Sequence, residues 1–418
     1  MAKTCWIEYE LADHLLSGLK VLDVATVIAG PVAATMLADF GADVIKIEQP
    51  GRGDMLRYIS GIPTTPDADS NYLWQMDGRN KRSLALDLKS AQGITVLHKL
   101  IERCDVFVTN QPLPVRRSLK LTYADIEPLN PKMIYASLTA YGEEGPDRDG
   151  KGFDLVAYWA HSGLMDLVRS PNSPPAQSLP GMGDHPTAVA LYAGIMTALL
   201  HRERTGEGSM VHTSLLANGL WSASCIAQGA LAGGDMPGYR ARNVESGILH
   251  KIYPTRDGRF LQFTMVRSEE ELQRLLAVLG LDELFADERF STPESRYEHR
   301  ADLSALIAER LLVEGSSHWV TRFAEQRITV NRVQIVEETV RNIQLQVNRM
   351  IVPPVDDEMD VPWIINHPVQ IDNVAQVGPK RAPDLGEHSR EIVEELGYAS
   401  DDVQALFDSG VIVDAARE

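Results

Sequence analysis

Cysteine is scarce in this sequence, whose 418 residues include three, at positions 5, 104 and 225. They lie far apart and lack the spacing of zinc ligands, which argues against a disulfide framework and against a structural metal site. So few cysteines suit a reducing compartment, and we therefore predict a cytoplasmic protein without a bound metal.

Positive charge and long apolar runs are also in short supply. Lysine and arginine number 40 against 58 aspartates and glutamates, which gives a formal net charge of −18. Nucleic acids and anionic membranes bind basic surfaces, so neither is an expected partner. The apolar stretches fall short of the roughly 20 residues that cross a membrane. The first residues carry two acids by Glu10 and have no apolar signal core.

The glycine fingerprint of a dinucleotide site is missing as well. A strand over Leu19–Thr26, a helix over Val32–Phe40 and a strand over Asp43–Glu48 are predicted, and this βαβ unit favours a parallel sheet. The turn after the first strand contains one glycine followed by Pro31, instead of G-x-G-x-x-G. Because Pro31 removes an N–H donor that a pyrophosphate would use, no tightly bound nicotinamide or flavin is expected.

What the chain does contain is an alternation of apolar strands and helices over its first half. Further strands are predicted at Ser83–Leu88, Asp105–Asn110, Met133–Thr139 and Ser209–Ser214. Residues 232–238 are rich in glycine and predict a linker. Beyond them, a hairpin around Asp257-Gly258 and helices over 269–279 and 301–312 indicate a smaller α+β domain.

Basic residues cluster at two points in the first half. Arg79, Lys81 and Arg82 lie near the start of the third predicted strand, and either a solvent-exposed loop or a phosphate-binding cluster would account for them. Arg116 and Arg117 follow the strand that ends at Asn110. Because open α/β sheets bind ligands beyond the carboxyl ends of their strands, we expect this second group to lie near a ligand.

One carboxylate, Asp184, stands between two glycines and two prolines, directly ahead of an apolar run over 187–200. The run is apolar on nearly every face and predicts a core helix. Asp184 stands where an N-cap residue would, so a structural cap is one interpretation. A carboxylate nucleophile beside the positive end of the helix dipole is the other, and the two are compatible.

Seven stretches, in order along nearly the whole chain, together resemble the family III CoA-transferases. This group includes formyl-CoA and carnitine CoA-transferases, and the α-methylacyl-CoA racemases are close relatives. Any one stretch is a weak signal, whereas seven in register are a strong one. They are Leu19–Glu48, Asn80–Lys89, Asp105–Asn110, Gly142–Gly163, Gly183-Asp184, Arg204–Ser209 and Ala382–His388.

The resemblance implies roles for individual residues. The family's catalytic aspartate lies in a Gly-Asp step just ahead of an Ala/Leu-rich helix, and that position is Asp184 here. Family members hold coenzyme A along loops at the ends of several strands and by basic residues that follow. The positions implied to bind coenzyme A are Val27, Ile28, Ala29, Leu86, Lys89, Asn110, Gln111, Arg117 and Lys151.

The implied activity is transfer of coenzyme A from an acyl-CoA thioester to a free carboxylic acid. The aspartate forms a mixed anhydride with the acyl group and then a thioester with coenzyme A. Because a carboxylate is a weak nucleophile, the site must position it and exclude water. The backbone N–H of Gly183 is the local candidate for stabilising the oxyanion.

Three departures from the relatives narrow the expected activity. Formyl-CoA transferase has a glutamine where this chain has Ile28 and a multi-glycine loop where it has residues 242–247, so formyl and oxalyl substrates are not expected. Racemases carry a histidine where this chain has Phe153. Phenylalanine cannot accept a proton, which favours the transferase over the alternative function, a 2-methylacyl-CoA racemase.

The resemblance also implies an α/β fold and a homodimer in which each subunit is an open ring threaded by the other. A large Rossmann-like domain over 1–231 would carry Asp184 and the coenzyme A site. A small α+β domain would occupy 232–330, and residues 331–418 would return to complete the large domain, so that its parallel sheet is built from both chain ends.

Overall fold

The computed structural model describes residues 14–170, 172–244, 251–263 and 268–414, without the side chains of 242–244. The chain divides into two compact units. The first takes in the residues up to 169, residues 174–227 and those from 344 onward, and the second takes in 170–173 and 228–343. These units are defined by internal packing alone, so the domain limits expected at residues 231 and 330 stay predictions.

Strands and helices alternate through the first part of the chain. They are β1 (Lys20–Asp23), α1 (Ala29–Asp39), β2 (Asp43–Glu48), α2 (Leu56–Ile59), α3 (Tyr72–Gly78), β3 (Arg82–Leu86), α4 (Ala91–Ile101), β4 (Val106–Thr109), α5 (Leu113–Leu119), α6 (Tyr123–Ile126) and β5 (Ile134–Thr139). The strands predicted in this part are therefore confirmed. α1 begins earlier than predicted, since Pro31 lies in its first turn, where the helix requires no N–H donor.

The next part of the chain is mainly helical. It contains a π-helix (Leu155–His161), α7 (Leu164–Leu167), α8 (Asp184–Thr205), β6 (Ser209–Ser214), α9 (Leu215–Ser222), α10 (Ser224–Leu231) and α11 (Met236–Val244). α8 is the core helix that the apolar run predicts, and Gly206 ends it with φ = 78°. The helix after Asp154 has the wider π form, which is frequent at functional sites.

The second unit contains a small antiparallel sheet and several helices. Besides α11 and the end of α10, its elements are β7 (Ile252–Pro254), β8 (Phe260–Phe263), α12 (Glu269–Leu279), α13 (Pro293–Glu298), α14 (Arg300–Leu311), α15 (Ser316–Glu325), β9 (Val330–Arg332) and α16 (Val336–Thr339). β8 pairs with both β7 and β9, which confirms the hairpin predicted around Asp257-Gly258. Its core includes Tyr253, Phe263 and Phe323.

The last part of the chain returns to the first unit. It contains α17 (Ile343–Val347), β10 (Ile351–Val352), β11 (Ile364–Ile365), α18 (Ser389–Glu395), α19 (Ser400–Asp408) and β12 (Ile412–Val413). β12 joins the large sheet, where Ile412 pairs antiparallel with Leu86 of β3. A strand from the end of the chain therefore completes a sheet that its beginning forms.

The large sheet has seven strands in the order β12-β3-β2-β1-β4-β5-β6, and all neighbours but β12 and β3 run parallel. The fold is therefore α/β with a mostly parallel sheet, as predicted. Chain order reverses between β1 and β4, and in open α/β sheets ligands bind beyond the carboxyl ends of the strands at such a point.

Alternate side chains of each strand face two different cores. Val21, Val44 and Val106 pack with α1 and α8 on one face of the sheet. Leu22 and Phe107 pack with α4, α18 and α19 on the other. The result is a three-layer arrangement in which α1 and α8 share a face, so that both of their N-termini can be held close to one edge of the sheet. Among the described residues, no helix is long and apolar enough to span a membrane.

Candidate active site

The loop after β1 lies at the reversal point of the sheet. Val27 has φ = 67°, a conformation that β-branched residues rarely adopt. Its N–H donates to the carboxylate of Asp54 at 2.9 Å. On the other side, the carboxamide of Asn110 accepts from the N–H of Thr26 at 2.8 Å and donates to the Thr26 carbonyl at 2.7 Å. Two side chains therefore hold this β1 loop in a shape that Val27 alone would not favour.

Six charged residues with little or no exposure lie beside the β1 loop. Lys46 Nζ is 2.8 Å from Asp54 Oδ2, and Arg57 donates two hydrogen bonds of 2.8 Å to Glu48. Burial lowers the pKa of Lys46, but the charges of Asp23 and Asp54 outweigh burial and raise it. Three cations thus match three anions. We name this group the Lys46 cluster; it consists of Asp23, Lys46, Glu48, Asp54, Arg57 and Lys81.

Both sequence interpretations of Arg79, Lys81 and Arg82 are wrong. Arg79 is buried and lies 2.5 Å from Asp39, and Lys81 is buried in the Lys46 cluster. Arg82 pairs with Asp43 at 2.7 Å and with carboxylates of α18. Each cation is therefore held by carboxylates of the fold, so the three form neither a solvated loop nor a phosphate-binding cluster.

The turn that leads into α8 is held at several points. Gly181 has φ = 84°, which favours glycine, and a Cβ on Gly183 would lie 2.6 Å from the ring of Tyr158. The N–H of Gly183 donates to Asp154 at 3.2 Å, and its carbonyl accepts from the hydroxyl of Thr187 at 2.7 Å. Because the Gly183 N–H is engaged inside the fold, its expected role as an oxyanion donor is wrong.

Asp184 is half-buried and is the first residue of α8. The N-cap position belongs to Gly183 and no side chain caps the helix, so the capping interpretation is wrong. Burial, followed by the charges of Asp154 and Asp77, raises the pKa of Asp184 to about 7, with His185 acting in the opposite direction. A carboxylate with such a pKa is more basic, and hence more nucleophilic, than an ordinary aspartate, yet is largely ionised slightly above neutral pH.

His185 joins the turn to α3. Its Nδ1 lies 3.0 Å from the carbonyl oxygen of Gly181, and its Nε2 lies 3.3 Å from Asp77 Oδ1. Burial lowers the pKa of His185, but the hydrogen bond and the charge of Asp77 outweigh burial and raise it to about 9. We name Asp77, Asp154, Asp184 and His185 the Asp184 cluster. It holds three carboxyl groups and one imidazole.

The structure brings most of the predicted loop residues close to Asp184. A Cβ on Gly181 would lie 3.5 Å from Cδ1 of Ile28, so the turn before Asp184 adjoins the β1 loop. Asn110 is hydrogen-bonded to the same loop, and Gln111 follows it in the chain. Of the predicted residues, Ile28 therefore lies beside the turn that leads to Asp184, Val27 and Ala29 flank Ile28 in the β1 loop, and Asn110 and Gln111 belong to the segment bonded to that loop.

Leu86 and Lys89 are not part of that group. Leu86 is 1% exposed in β3 and packs in the core, so it offers no surface to a ligand. Lys89 is exposed in the turn before α4, at the carboxyl end of β3 and two strands away from β1. The side chain of Lys89 is accessible at the predicted edge of the sheet, and its contact with coenzyme A stays a prediction.

Arg117 and Lys151, the two other predicted cations, lie in one exposed region. Arg117 extends from α5 to within 3.4 Å of Asp149, and both side chains are 47% exposed. Lys151 is exposed two residues further along the same loop. Neither residue contacts the Asp184 turn, so any ligand that reaches both regions must be an extended molecule.

Arg116 has a structural role that the sequence pattern did not predict. This residue is 2% exposed, donates to the carbonyl of Gln111 at 2.9 Å and pairs with Glu143 at 3.0 Å. Arg116 therefore links the loop after β5 to the loop after β4 through an ion pair and a hydrogen bond. The sequence does indicate this burial, because the three-residue spacing of Leu113 and Arg116 puts them on one face of α5. Both residues are buried in the structure.

Three further expectations concern what the site does not contain. Phe153, at the position of the racemase histidine, is 59% exposed and directly precedes Asp154. Residues 245–247 of the stretch compared with the multi-glycine loop lie outside the described residues, as do the side chains of 242–244. Within the described part of the chain, no three histidine, cysteine, aspartate or glutamate side chains are placed to hold a metal ion.

Comparison with known proteins shows the family of the chain. The model of CoA-transferase family III matches residues 16–389. (R)-2-hydroxy-4-methylpentanoate CoA-transferase of Clostridioides difficile is 30% identical over 399 residues, which cover 95% of this chain and 99% of that protein. Succinyl-CoA:glutarate CoA-transferase of Mus musculus is 30% identical over 410 residues, which cover 95% and 90%.

Other relatives agree in sequence and in fold. Cinnamoyl-CoA:phenyllactate CoA-transferase of Clostridium sporogenes is 28% identical over 396 residues, which cover 94% of this chain and 96% of that protein. The crystal structure of a CaiB/BaiF family protein from Brucella suis superposes with a TM-score of 0.79 at 26% identity, covering 92% of this chain and all of the other. The chain therefore belongs to CoA-transferase family III.

Proposed function

We propose that the protein transfers coenzyme A from an acyl-CoA thioester to a free carboxylic acid, with Asp184 as the nucleophile. The observation that carries this proposal is the placement of Asp184, a half-buried carboxyl group with a pKa near 7 at the start of α8. The turn around it is fixed by Asp154, Thr187 and His185. Such a group combines basicity with a fixed orientation, which is what a weak nucleophile needs.

The proposed reaction proceeds by exchange of one acyl bond at a time. An oxygen of Asp184 attacks the thioester carbonyl, the C–S bond breaks, and a mixed anhydride and the coenzyme A thiolate form. The thiolate attacks the aspartyl carbonyl, which releases the first acid and leaves an aspartyl thioester. The acceptor carboxylate attacks that thioester, the C–S bond breaks, and a second anhydride and the free thiolate form. The thiolate then attacks the acceptor's carbonyl, which yields the new acyl-CoA and regenerates the Asp184 carboxylate.

The ionised form of Asp184 is required, so the proposed activity rises with pH through about 7. Oxygen attack removes negative charge from Asp184 and so relieves its repulsion by Asp154 and Asp77. The positive end of the α8 dipole acts on the same group. The Asp184 cluster thus favours formation of the acyl bond while the turn keeps the carboxylate in place.

We place coenzyme A between the Asp184 turn and the exposed cations. Its thiol end would lie by the β1 loop of Val27, Ile28 and Ala29, near Asn110 and Gln111. Its phosphates would be neutralised by Arg117 and Lys151, and Lys89 would approach from the end of β3. The separation of these groups along the carboxyl edge of the sheet suits an extended ligand of this kind.

The acceptor proposed is a small organic acid, and relatives suggest which to test. Their names include 2-hydroxy-4-methylpentanoate, phenyllactate and glutarate. Each acid should be offered with a panel of acyl-CoA esters, and new CoA esters should be measured by mass spectrometry. Formate and oxalate are expected to be inactive because Ile28 replaces the glutamine of formyl-CoA transferase.

Substitution of the nucleophile tests the proposal. Asp184→Asn should abolish transfer, whereas Glu203→Gln, an exposed acid on the same helix, should leave the rate unchanged. Retained transfer in the Asp184→Asn protein would contradict the proposal. The racemase alternative predicts exchange of the α-proton of a 2-methylacyl-CoA in deuterated water. We expect no such exchange, because Phe153 cannot accept a proton.

We further propose that the protein is a cytoplasmic homodimer of interlocked rings. The exposed apolar side chains of α9 support a covered surface, since Leu220 and Trp221 are 47% and 78% exposed in the single chain. Interlocked subunits separate only on unfolding. Native mass should therefore stay at twice 46.2 kDa on dilution to nanomolar concentrations. Exchange between tagged and untagged dimers within minutes would contradict the interlocked arrangement.

A further inference from the structure

The Asp77–His185 pair has no step in the proposed reaction, although it contacts the turn that carries Asp184. Both ring nitrogens of His185 face acceptors, the carbonyl oxygen of Gly181 at 3.0 Å and Asp77 Oδ1 at 3.3 Å. A neutral imidazole has one N–H and can donate to only one of them. The geometry is therefore that of the doubly protonated ring.

We propose that Asp77 and His185 are positioning residues, in which the imidazolium ties the Gly181 carbonyl to α3 and thereby fixes the direction of the Asp184 carboxylate. The inference rests on the proposed function, since it concerns the orientation of the proposed nucleophile. It also assigns His185 a role other than acid–base catalysis, because neither ring nitrogen is free to exchange a proton with a substrate.

Asp77 is a rigid anchor for such a tie. Its side chain is 3% exposed, and its backbone carbonyl accepts from the hydroxyl of Thr35 and from Lys81 Nζ at 3.3 Å. Its second carboxylate oxygen, Oδ2, is buried and has no hydrogen-bond partner among the described residues. The negative charge of Asp77 therefore acts on His185, with buried Lys81 as another group that it influences.

At its other end, the His185 ring holds the Gly181 carbonyl, and the shape of this turn depends on that hydrogen bond. The Gly181 carbonyl also accepts from the backbone N–H of His185 at 3.2 Å, and Gly181 has φ = 84°. If the ring loses a proton, the repulsion between its bare nitrogen and one of the two acceptors loosens either the turn or the link to α3. Asp184 lies between Gly181 and His185 and cannot keep its direction when that happens.

Few other charged groups act on this ring. Asp77 faces it from α3, and Asp184 precedes it on α8; both raise the pKa of His185, against burial, to about 9. Asp154, ahead of the π-helix, acts on Asp184. Loss of a ring proton from His185, and with it of one of its two hydrogen bonds, is therefore expected near pH 9, and the midpoint depends chiefly on Asp77.

The test compares wild type with Asp77→Asn, an isosteric change that removes the charge but keeps an acceptor oxygen. His98→Asn, on α4 in another layer, is the matched control. In wild type, kcat should fall above pH 9 while KM for acyl-CoA changes less than twofold. In Asp77→Asn this alkaline fall should move down by at least one pH unit, and kcat at pH 8 should drop at least tenfold. An unchanged pH profile in Asp77→Asn would overturn the proposal.

A measurement without substrate separates this inference from the proposed function. In protein with ¹³C-labelled histidine, the resonance missing from His185→Asn identifies His185. Its titration midpoint should lie near 9 in wild type and at least one unit lower in Asp77→Asn, with the control unchanged. A wild-type midpoint below 7 would overturn the tie even in an active enzyme. Absence of CoA transfer in a wild type with the expected midpoint would instead contradict the proposed function.

Discussion

The Lys46 cluster and the Asp184 cluster both place several charges inside the first unit, yet they are built on opposite principles. In the Lys46 cluster three cations meet three anions, and the shortest ion pair of each cation measures 2.8 to 2.9 Å. The Asp184 cluster contains three carboxyl groups and a single imidazole, and Asp77 keeps an oxygen without a partner in the described chain.

The difference shows how one fold uses buried charge for two purposes. In the balanced cluster, opposite charges keep the carboxylates ionised. Burial raises the pKa of Asp54, but the charge of Lys46 and several hydrogen bonds outweigh burial and lower that pKa. That cluster sets the shape of the β1 loop through the Asp54–Val27 hydrogen bond. In the unbalanced cluster, burial and like charges raise the pKa of Asp184, which makes this carboxylate more basic than an ordinary aspartate.

The largest expected effect comes from unbalancing the Lys46 cluster. Lys46→Met would leave Asp23 and Asp54 buried with fewer cationic partners, which should lower the free energy of unfolding by about 3–5 kcal/mol. Urea titration measures the change. Arg117→Met, which removes an exposed pair with Asp149, is the control and should cost at most ~1 kcal/mol. Equal losses in the two variants would show that the Lys46 cluster is not a structural element.

A stabilising effect is expected from neutralising Asp184. Its pKa is raised in the folded protein from 3.8 to about 7, so the folded state binds the proton more tightly than the unfolded state. The contribution of Asp184 to wild-type stability therefore falls as the pH rises from about 4 to 7 and then levels off. Asp184→Asn avoids this loss and should be more stable by ~1–3 kcal/mol at pH 8.

The pH dependence distinguishes that explanation from a general gain in packing. Thermal melts of wild type and Asp184→Asn at several values between pH 4 and pH 8 should show an advantage that grows with pH. A constant advantage over the whole range would mean that ionisation of Asp184 is not its cause.

The smallest expected effect is a shift of the pH profile in Asp154→Asn. Asp154 raises the pKa of Asp184, so its neutralisation lowers that pKa while burial still keeps it above the ordinary value. The pH of half-maximal transfer should therefore move down from about 7 by roughly one unit, equivalent to ~1.4 kcal/mol. The amide oxygen of the new side chain can still accept from Gly183. An unmoved midpoint would show that Asp154 acts on the backbone alone.

The same comparison shows what the sequence can and cannot predict. The strands around Val21, Val44 and Val106 and the core helix α8 follow from apolar pattern, because burial of a face is a local property of the chain. The partners of buried charges are not local. Arg82 meets Glu391 at 3.1 Å across more than 300 residues, and no spacing rule contains that contact.

The candidate site likewise combines features that the sequence shows with features that only the fold determines. The Gly-Asp step at Asp184 is visible in the sequence, and the family resemblance assigns it a role. Its raised pKa depends on burial and then on Asp154 and Asp77, which come from the segment before the π-helix and from α3. The sequence named Arg117, which is exposed, as a coenzyme A ligand, whereas the structural role of buried Arg116 depends on Gln111 and Glu143, which lie in two other loops.

The most direct test of the account is to identify the residue that carries the acyl group. Wild-type protein should be mixed with an acyl-CoA and hydroxylamine above pH 7, digested, and examined by mass spectrometry. Hydroxylamine attacks an aspartyl anhydride or thioester. If Asp184 is the nucleophile, we expect a hydroxamate on Asp184 that depends on acyl-CoA and is absent from Asp184→Asn. A hydroxamate on a different carboxylate, or continued transfer with Asp184 never modified, would contradict it.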